Sequence, residues 1–234
     1  MSESRARRTL LVGLAHPDDE VRCAGTIAAQ AARGDRVVLL WLTRGSMTEA
    51  LGPLPGAEIA RLRERQARAA AEILGAEARF LDFEDTRVEA TRAAAYEIAR
   101  VLAEIRPDGL ITWGEAWRRG PRHPDHQATG QLMRDAITLA RIARVVAPLP
   151  PHRAPVPVFT LRDPLSPLPL AAVDVTPVLD KVRAVGALYR AQVGWPREEW
   201  LDRELATTGA RWQVAAAEEF DAWESPTGLY PALI

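Results

Sequence analysis

The chain has 234 residues, 47% of them hydrophobic, with 30 basic and 31 acidic side chains for a net charge of −1. That length suits one α/β domain with ample core material, the balanced charge gives no bulk electrostatic case for a nucleic-acid partner, and no apolar run approaches the ~20 residues of a bilayer span. The single cysteine, Cys23, excludes an intramolecular disulfide and a thiolate cage for structural zinc, and with no signal-type apolar core after residues 2–8 the expected location is cytoplasmic.

Residues 9–15 read as a buried strand that ends at His16-Pro17-Asp18-Asp19-Glu20, followed by an alanine-rich helix over 18–32 closed by Gly34. A second strand spans 36–43, where VVLLWL has the unbroken apolar character of a strand covered on both faces, and the Gly- and Pro-containing 44–55 is a loop. Then come a helix over 57–74 ending at Gly75, a strand over 78–83, a helix over 89–105 stopped before Pro107, and a strand over 109–113. This alternation predicts a Rossmann-like α/β fold, a mostly parallel sheet flanked by helices with right-handed crossovers. After a helix from about 125 to 140, the proline-rich stretch 148–169 holds a strand at 156–161 of the kind suited to a sheet edge. Helices are expected over 177–191 and 197–219, the second carrying Trp200, Trp212 and Phe220. The expected organisation is one domain over 1–234, an α/β core of 1–147 with a small C-terminal extension over 148–234.

Two short clusters, the one after strand one and His123-Pro124-Asp125-His126 after strand four, hold three of the four histidines. In such sheets ligands bind beyond the carboxyl ends of the strands, so positions 16 and 126 can meet in space. Catalytic zinc takes three His or Asp/Glu ligands and keeps one position for water, and His16, Asp19 and His126 supply that set. Asp18, pointing another way from the same turn, is placed as general base, and Asp125 as the partner that fixes a histidine tautomer. The bland alternative is a helix-entry turn in which Asp18, Asp19 and Glu20 complement the dipole and cap free N–H groups, with incidental histidines. Glu20 reads as capping or structural, Cys23 as a small buried residue, Trp41 as core and His152 as an exposed loop residue. Trp113 and Trp117 are candidates for stacking on a sugar or for packing.

AHPDDE and HPDH in these positions resemble the LmbE/PIG-L family of zinc-dependent N-deacetylases, which remove acetyl groups from N-acetylglucosamine-containing molecules. The resemblance runs through most of the chain. Thr43-Arg44-Gly45 is similar to the family's turn after strand two, Arg63 to its substrate-contacting arginine, Asp85 to an acidic substrate contact, and Lys181 with Gln192 to a looser C-terminal pattern. It implies one Zn2+ per chain on His16, Asp19 and His126, Asp18 as base, His123 aiding the tetrahedral intermediate, Arg44, Arg63 and Asp85 binding substrate, and an N-acetylated amino sugar as substrate, with bacillithiol- and mycothiol-type thiol synthesis as precedents. A thiol-conjugate amidase, a metabolite-tailoring deacetylase and a non-catalytic sugar- or metal-binding protein remain alternatives. The chain departs from the pattern at Gln66, at Arg122 and at Tyr189, where the family often has His before a Ser-Gln pair. Leu229, Tyr230, Leu233 and Ile234 are candidates for a homo-oligomer contact or for packing on their own core.

Overall fold

The computed structural model describes residues 6–114 and 123–234. They form an eight-stranded sheet in the order β3-β2-β1-β4-β5-β7-β6-β8. The strands are β1 (Thr9–Leu14), β2 (Arg36–Trp41), β3 (Glu77–Phe80), β4 (Gly109–Thr112), β5 (Val158–Leu161), β6 (Leu170–Asp174), β7 (Ala217–Ala222) and β8 (Gly228–Tyr230). From β3 through β5 every pairing is parallel, and the antiparallel pairings are those that β7 makes with β5 and β6. The mostly parallel α/β architecture read from the sequence is therefore present, and the C-terminal strands extend the same sheet.

Alternate residues of the central strands feed two cores. Leu10, Val12, Leu14, Val37, Leu39 and Trp41 pack on one face with α1 (Ala24–Ala32), α2 (Gly56–Leu74), α6 (Leu179–Val193) and α7 (Glu198–Arg211). Leu11, Val38, Leu40 and Leu110 pack on the other with α3 (Arg92–Ile105), α4 (Pro124–Ala140) and α5 (Ala143–Val146). Burial on both faces accounts for the unbroken apolar runs of β1 and β2. Two of the helix ends are capped by local chemistry: Gly75 closes α2 at φ 78°, and the Thr91 hydroxyl accepts from the Ala94 N–H at the start of α3.

Four expectations are corrected. The helix expected over 18–32 begins instead as a 3-10 turn, Asp19–Cys23, because the Asp19 carboxylate folds back to accept from the Ala15 and His16 N–H groups. The helix expected over 197–219 ends at Arg211, and Phe220 lies on β7; the ladder with β5 and β6 overrides the helical bias of an alanine-rich stretch, and Arg211 and Trp212 fold back onto Glu219. β5 is interior, between β4 and β7; its four residues contain no proline, so it loses no ladder donor. His152 is buried, its Nε2 2.8 Å from the Pro107 carbonyl. Leu233 and Ile234 are buried in the chain's own core, whereas Leu229 is exposed. Among the described residues no helix is long and apolar enough to cross a membrane.

Candidate metal and active site

β1 is hydrogen-bonded to β2 on one side and β4 on the other, and the chain leaves β1 and β4 toward helices on opposite faces. This is the topological switch point, where a crevice opens at the carboxyl ends of the strands. The first cluster caps β1, and the second opens α4 after β4. Seating α4 that close requires a residue without a side chain: a Cβ on Gly130 would lie 2.4 Å from the Trp113 carbonyl oxygen. One turn earlier on α4, His126 stacks on Trp113 with ring centroids 3.9 Å apart and planes 11° off parallel. Trp113 is thus packing under a histidine, fully buried.

His16 Nδ1 lies 3.2 Å from His126 Nε2, His126 Nε2 lies 3.1 Å from an Asp19 oxygen, and His16 Nδ1 lies 3.9 Å from the other Asp19 oxygen. Tetrahedral coordination with bonds of about 2.0–2.1 Å spaces ligand atoms by about 3.3 Å; His126 Nε2 meets that spacing with His16 Nδ1 and with one Asp19 oxygen, while it is the other Asp19 oxygen that faces His16 at 3.9 Å. Donor atoms of His16, His123 and His126 also fall within 4.8 Å of one another, as do those of His16, Asp85 and Asp125.

The orientation of His16 is fixed from behind. Its Nε2 is 3.0 Å from Asp125 and 3.2 Å from Asp85, which leaves Nδ1 directed at His126. Asp125 is itself held by the N–H groups of Thr86 and Val88, and Asp85 accepts from the Met47 N–H at 2.7 Å. Burial works to lower the His16 pKa, but the Asp125 and Asp85 carboxylates carry it up to about 10. Burial also raises that of Asp19, and the His126 and His16 rings more than reverse it, holding the carboxyl well below its usual range.

Asp18 has φ 97°, a left-handed conformation that Asp tolerates better than most residues. Its carboxylate receives the Arg63 guanidinium at 2.5 Å, and burial, opposed by Arg63, pushes its pKa up to about 6. Arg63 is buried and also donates to the Pro17 carbonyl and to Gln66. His123 is exposed at the N-cap of α4, its Nδ1 accepting from the Asp125 N–H, and burial together with the nearby His16 and His126 rings depresses its pKa.

A cavity of about 330 Å³ is lined by His16, Asp18, Asp19, Arg63, Asp85, His123 and His126, together with Met47, Thr48 and Thr86. The last three went unread in the sequence, where nothing distinguishes them from ordinary loop residues. Arg44 is not among the lining residues; its guanidinium is taken by Glu64, Asp82 and the Leu81 carbonyl. Trp117 and Arg122 lie outside the described residues.

A family model for PIG-L, the GlcNAc-PI de-N-acetylases, matches residues 11–137. The chain is 36% identical over 144 residues to the diacetylchitobiose deacetylase of Thermococcus kodakarensis, an alignment covering 58% of this chain and 54% of that one. It is 29% identical over 147 residues to a 4-oxalmesaconate hydratase of Pseudomonas putida, covering 60% and 53%. Its fold is similar to that of the N,N'-diacetylchitobiose deacetylase of Pyrococcus horikoshii, with a TM-score of 0.80, 24% identity, and coverage of 92% and 84%. The chain spans little more than half the length of the curated relatives it matches, 54%, 59% and 54% for three of them. With a match running from β1 into α4 across both histidine clusters, the chain belongs to the PIG-L family.

Proposed function

We propose that the protein is a zinc-dependent N-deacetylase acting on a small N-acetylglucosamine-containing molecule, with His16, Asp19 and His126 holding one zinc ion. The observation that carries this reading is the convergence of two imidazole nitrogens and a carboxylate, 3.1 to 3.9 Å apart, with the Asp18 carboxylate lining the same cavity. The names of relatives that act on diacetylchitobiose and on N-acetylglucosaminyl malate support the substrate class.

Zinc held by His16, Asp19 and His126 would supply Lewis acidity to an amide carbonyl and acidify the attacking water. Asp18, held by Arg63, accepts the proton of the attacking water. His123, at the open edge of the cavity, stabilises the oxyanion that develops on the acetyl carbonyl, and His123 or Asp18 delivers a proton to the departing amine. Asp125 and Asp85 keep the His16 ring in the ligating tautomer, Asp85 and Arg63 present polar groups to the sugar, and Met47 lies where the cavity meets solvent.

Acetate and amine release from N-acetylglucosamine, diacetylchitobiose and the malate and inositol conjugates, measured with zinc-loaded and chelator-treated protein, tests the reading. Metal-dependent release is expected. Zinc binding without release from any of them overturns it, and hydration of 4-oxalmesaconate instead would place the chain beside its hydratase relative.

A further inference from the structure

The segment matched by the family ends at residue 137, yet a fully buried polar contact of the first cluster comes from α6, beyond that limit. Tyr189 is fully buried, and its hydroxyl donates to Glu20 Oε1. Glu20 is also fully buried, and its other oxygen accepts from the Asp18 N–H at 3.0 Å and from Trp41 Nε1 at 3.1 Å. A carboxylate with no access to water needs each of these donors, so losing one frees it to turn or shift. The Tyr189 ring also lies under the Arg63 guanidinium, 5.6 Å from ring centre to Cζ, and Arg63 grips the Asp18 carboxylate and the Pro17 carbonyl.

Asp18 therefore has two handles. Its backbone N–H is tied through Glu20, and its carboxylate is tied through Arg63. Tyr189 touches the far side of both ties. Because Asp18 is held at φ 97°, a conformation whose cost the surroundings must offset, the ties decide where its carboxylate points.

Resting on the assignment of Asp18 as base, we infer that Tyr189 is a positioning residue for it, so that the catalytic site is completed by a side chain from the C-terminal part of the chain. The Tyr189 hydroxyl fixes Glu20, Glu20 fixes the Asp18 backbone, and the ring supports the guanidinium that aims the carboxylate. Glu20 in this account is the coupling between α6 and the base.

The test is Tyr189→Phe, which keeps the ring and removes the hydroxyl, beside Tyr230→Phe, which removes a hydroxyl that donates to Pro226 far from the cluster. Tyr189→Phe is expected to lower kcat between about 10- and 100-fold with KM and zinc stoichiometry near wild type, as a misplaced catalytic group does. Tyr230→Phe is expected to leave kcat unchanged. Trp41→Phe, which removes the other side-chain donor to Glu20, is expected to lower kcat in the same sense and stands in should Tyr189→Phe fail to fold. A crystal structure of Tyr189→Phe is expected to show the Asp18 carboxylate displaced. Unchanged kcat in Tyr189→Phe, or a loss shared equally by KM and zinc content, overturns the inference. Should wild-type protein release no acetate from any substrate, the deacetylase reading fails, and the position of Asp18 in the Tyr189→Phe crystal still decides the role of Tyr189.

Discussion

The two histidine clusters occupy equivalent places in the sheet and are built differently. In the cluster after β1, Asp19 and Glu20 are buried, and every carboxylate is engaged by a named donor. In the cluster after β4, Asp125 is fully buried behind His16 while His123 stands exposed two residues away. The first cluster is frame apart from Asp18, which is partly exposed and lines the cavity, and the second is half frame and half working surface. A group that must meet substrate and exchange a proton needs access to the cavity, which His123 has in full and Asp18 in part, whereas groups that set distances need the burial of Asp19 and Asp125.

The sharpest way to break the contrast is Asp18→Ala. It is expected to lower kcat by a factor of about 1,000 or more while leaving zinc stoichiometry near wild type, measured by acetate release beside metal analysis. Unchanged turnover would remove Asp18 from the base role. His123→Asn keeps a side chain able to cap α4 and removes the imidazole. A loss of about 100-fold in kcat is expected with little change in urea midpoint, and a large loss of stability would mean that His123 belongs to the frame.

Asp125→Ala should do the reverse, weakening zinc affinity about 10- to 100-fold in a competition titration and lowering stability by about 2 to 3 kcal/mol, because the Thr86 and Val88 N–H groups lose their acceptor.

The smallest expected effect on turnover is that of Glu218→Gln. Glu218 lies on β7, buried, accepting from the Gly25 and Thr26 N–H groups at the start of α1. Burial pushes its pKa up to about 7 against those two bonds. The folded state thus holds this proton more tightly than the unfolded state. Its contribution is fully present below the ordinary value of 4.5 and is lost as pH rises through about 7. Urea midpoints measured from pH 4.5 to 7.5 are expected to fall for the wild type and to fall less steeply in the variant, which keeps the same-signed contributions of Asp18 and Glu20, raised by burial to about 6 and about 7.

Much of this was legible in the chain because it is local. Unbroken apolar runs marked β1 and β2, Gly75 marked the end of α2, and the strand-helix alternation placed both clusters at one end of a parallel sheet. What escaped reading depends on partners far away in sequence. An alanine-rich stretch became β7 only because β5 and β6 flank it. Arg63 and Arg44 look alike as residues, yet one guanidinium turns inward to Asp18 and the other outward to Glu64 and Asp82. Glu20 and Tyr189 are 169 positions apart, and nothing in either segment announces the other. His152, among prolines, is expected in solvent, and its burial comes from partners distant in sequence, the Pro107 and Ala140 carbonyls.

The indole of Trp113 lying flat on His126 gives the protein an optical gauge of its own. The emission of a buried indole depends on the charge of an aromatic ring in contact with it, so whatever occupies the histidine is written into the fluorescence. Comparison with Trp113→Phe isolates that signal from the other six tryptophans, and a stopped-flow trace of zinc addition would then time the loading of the site with no substrate present.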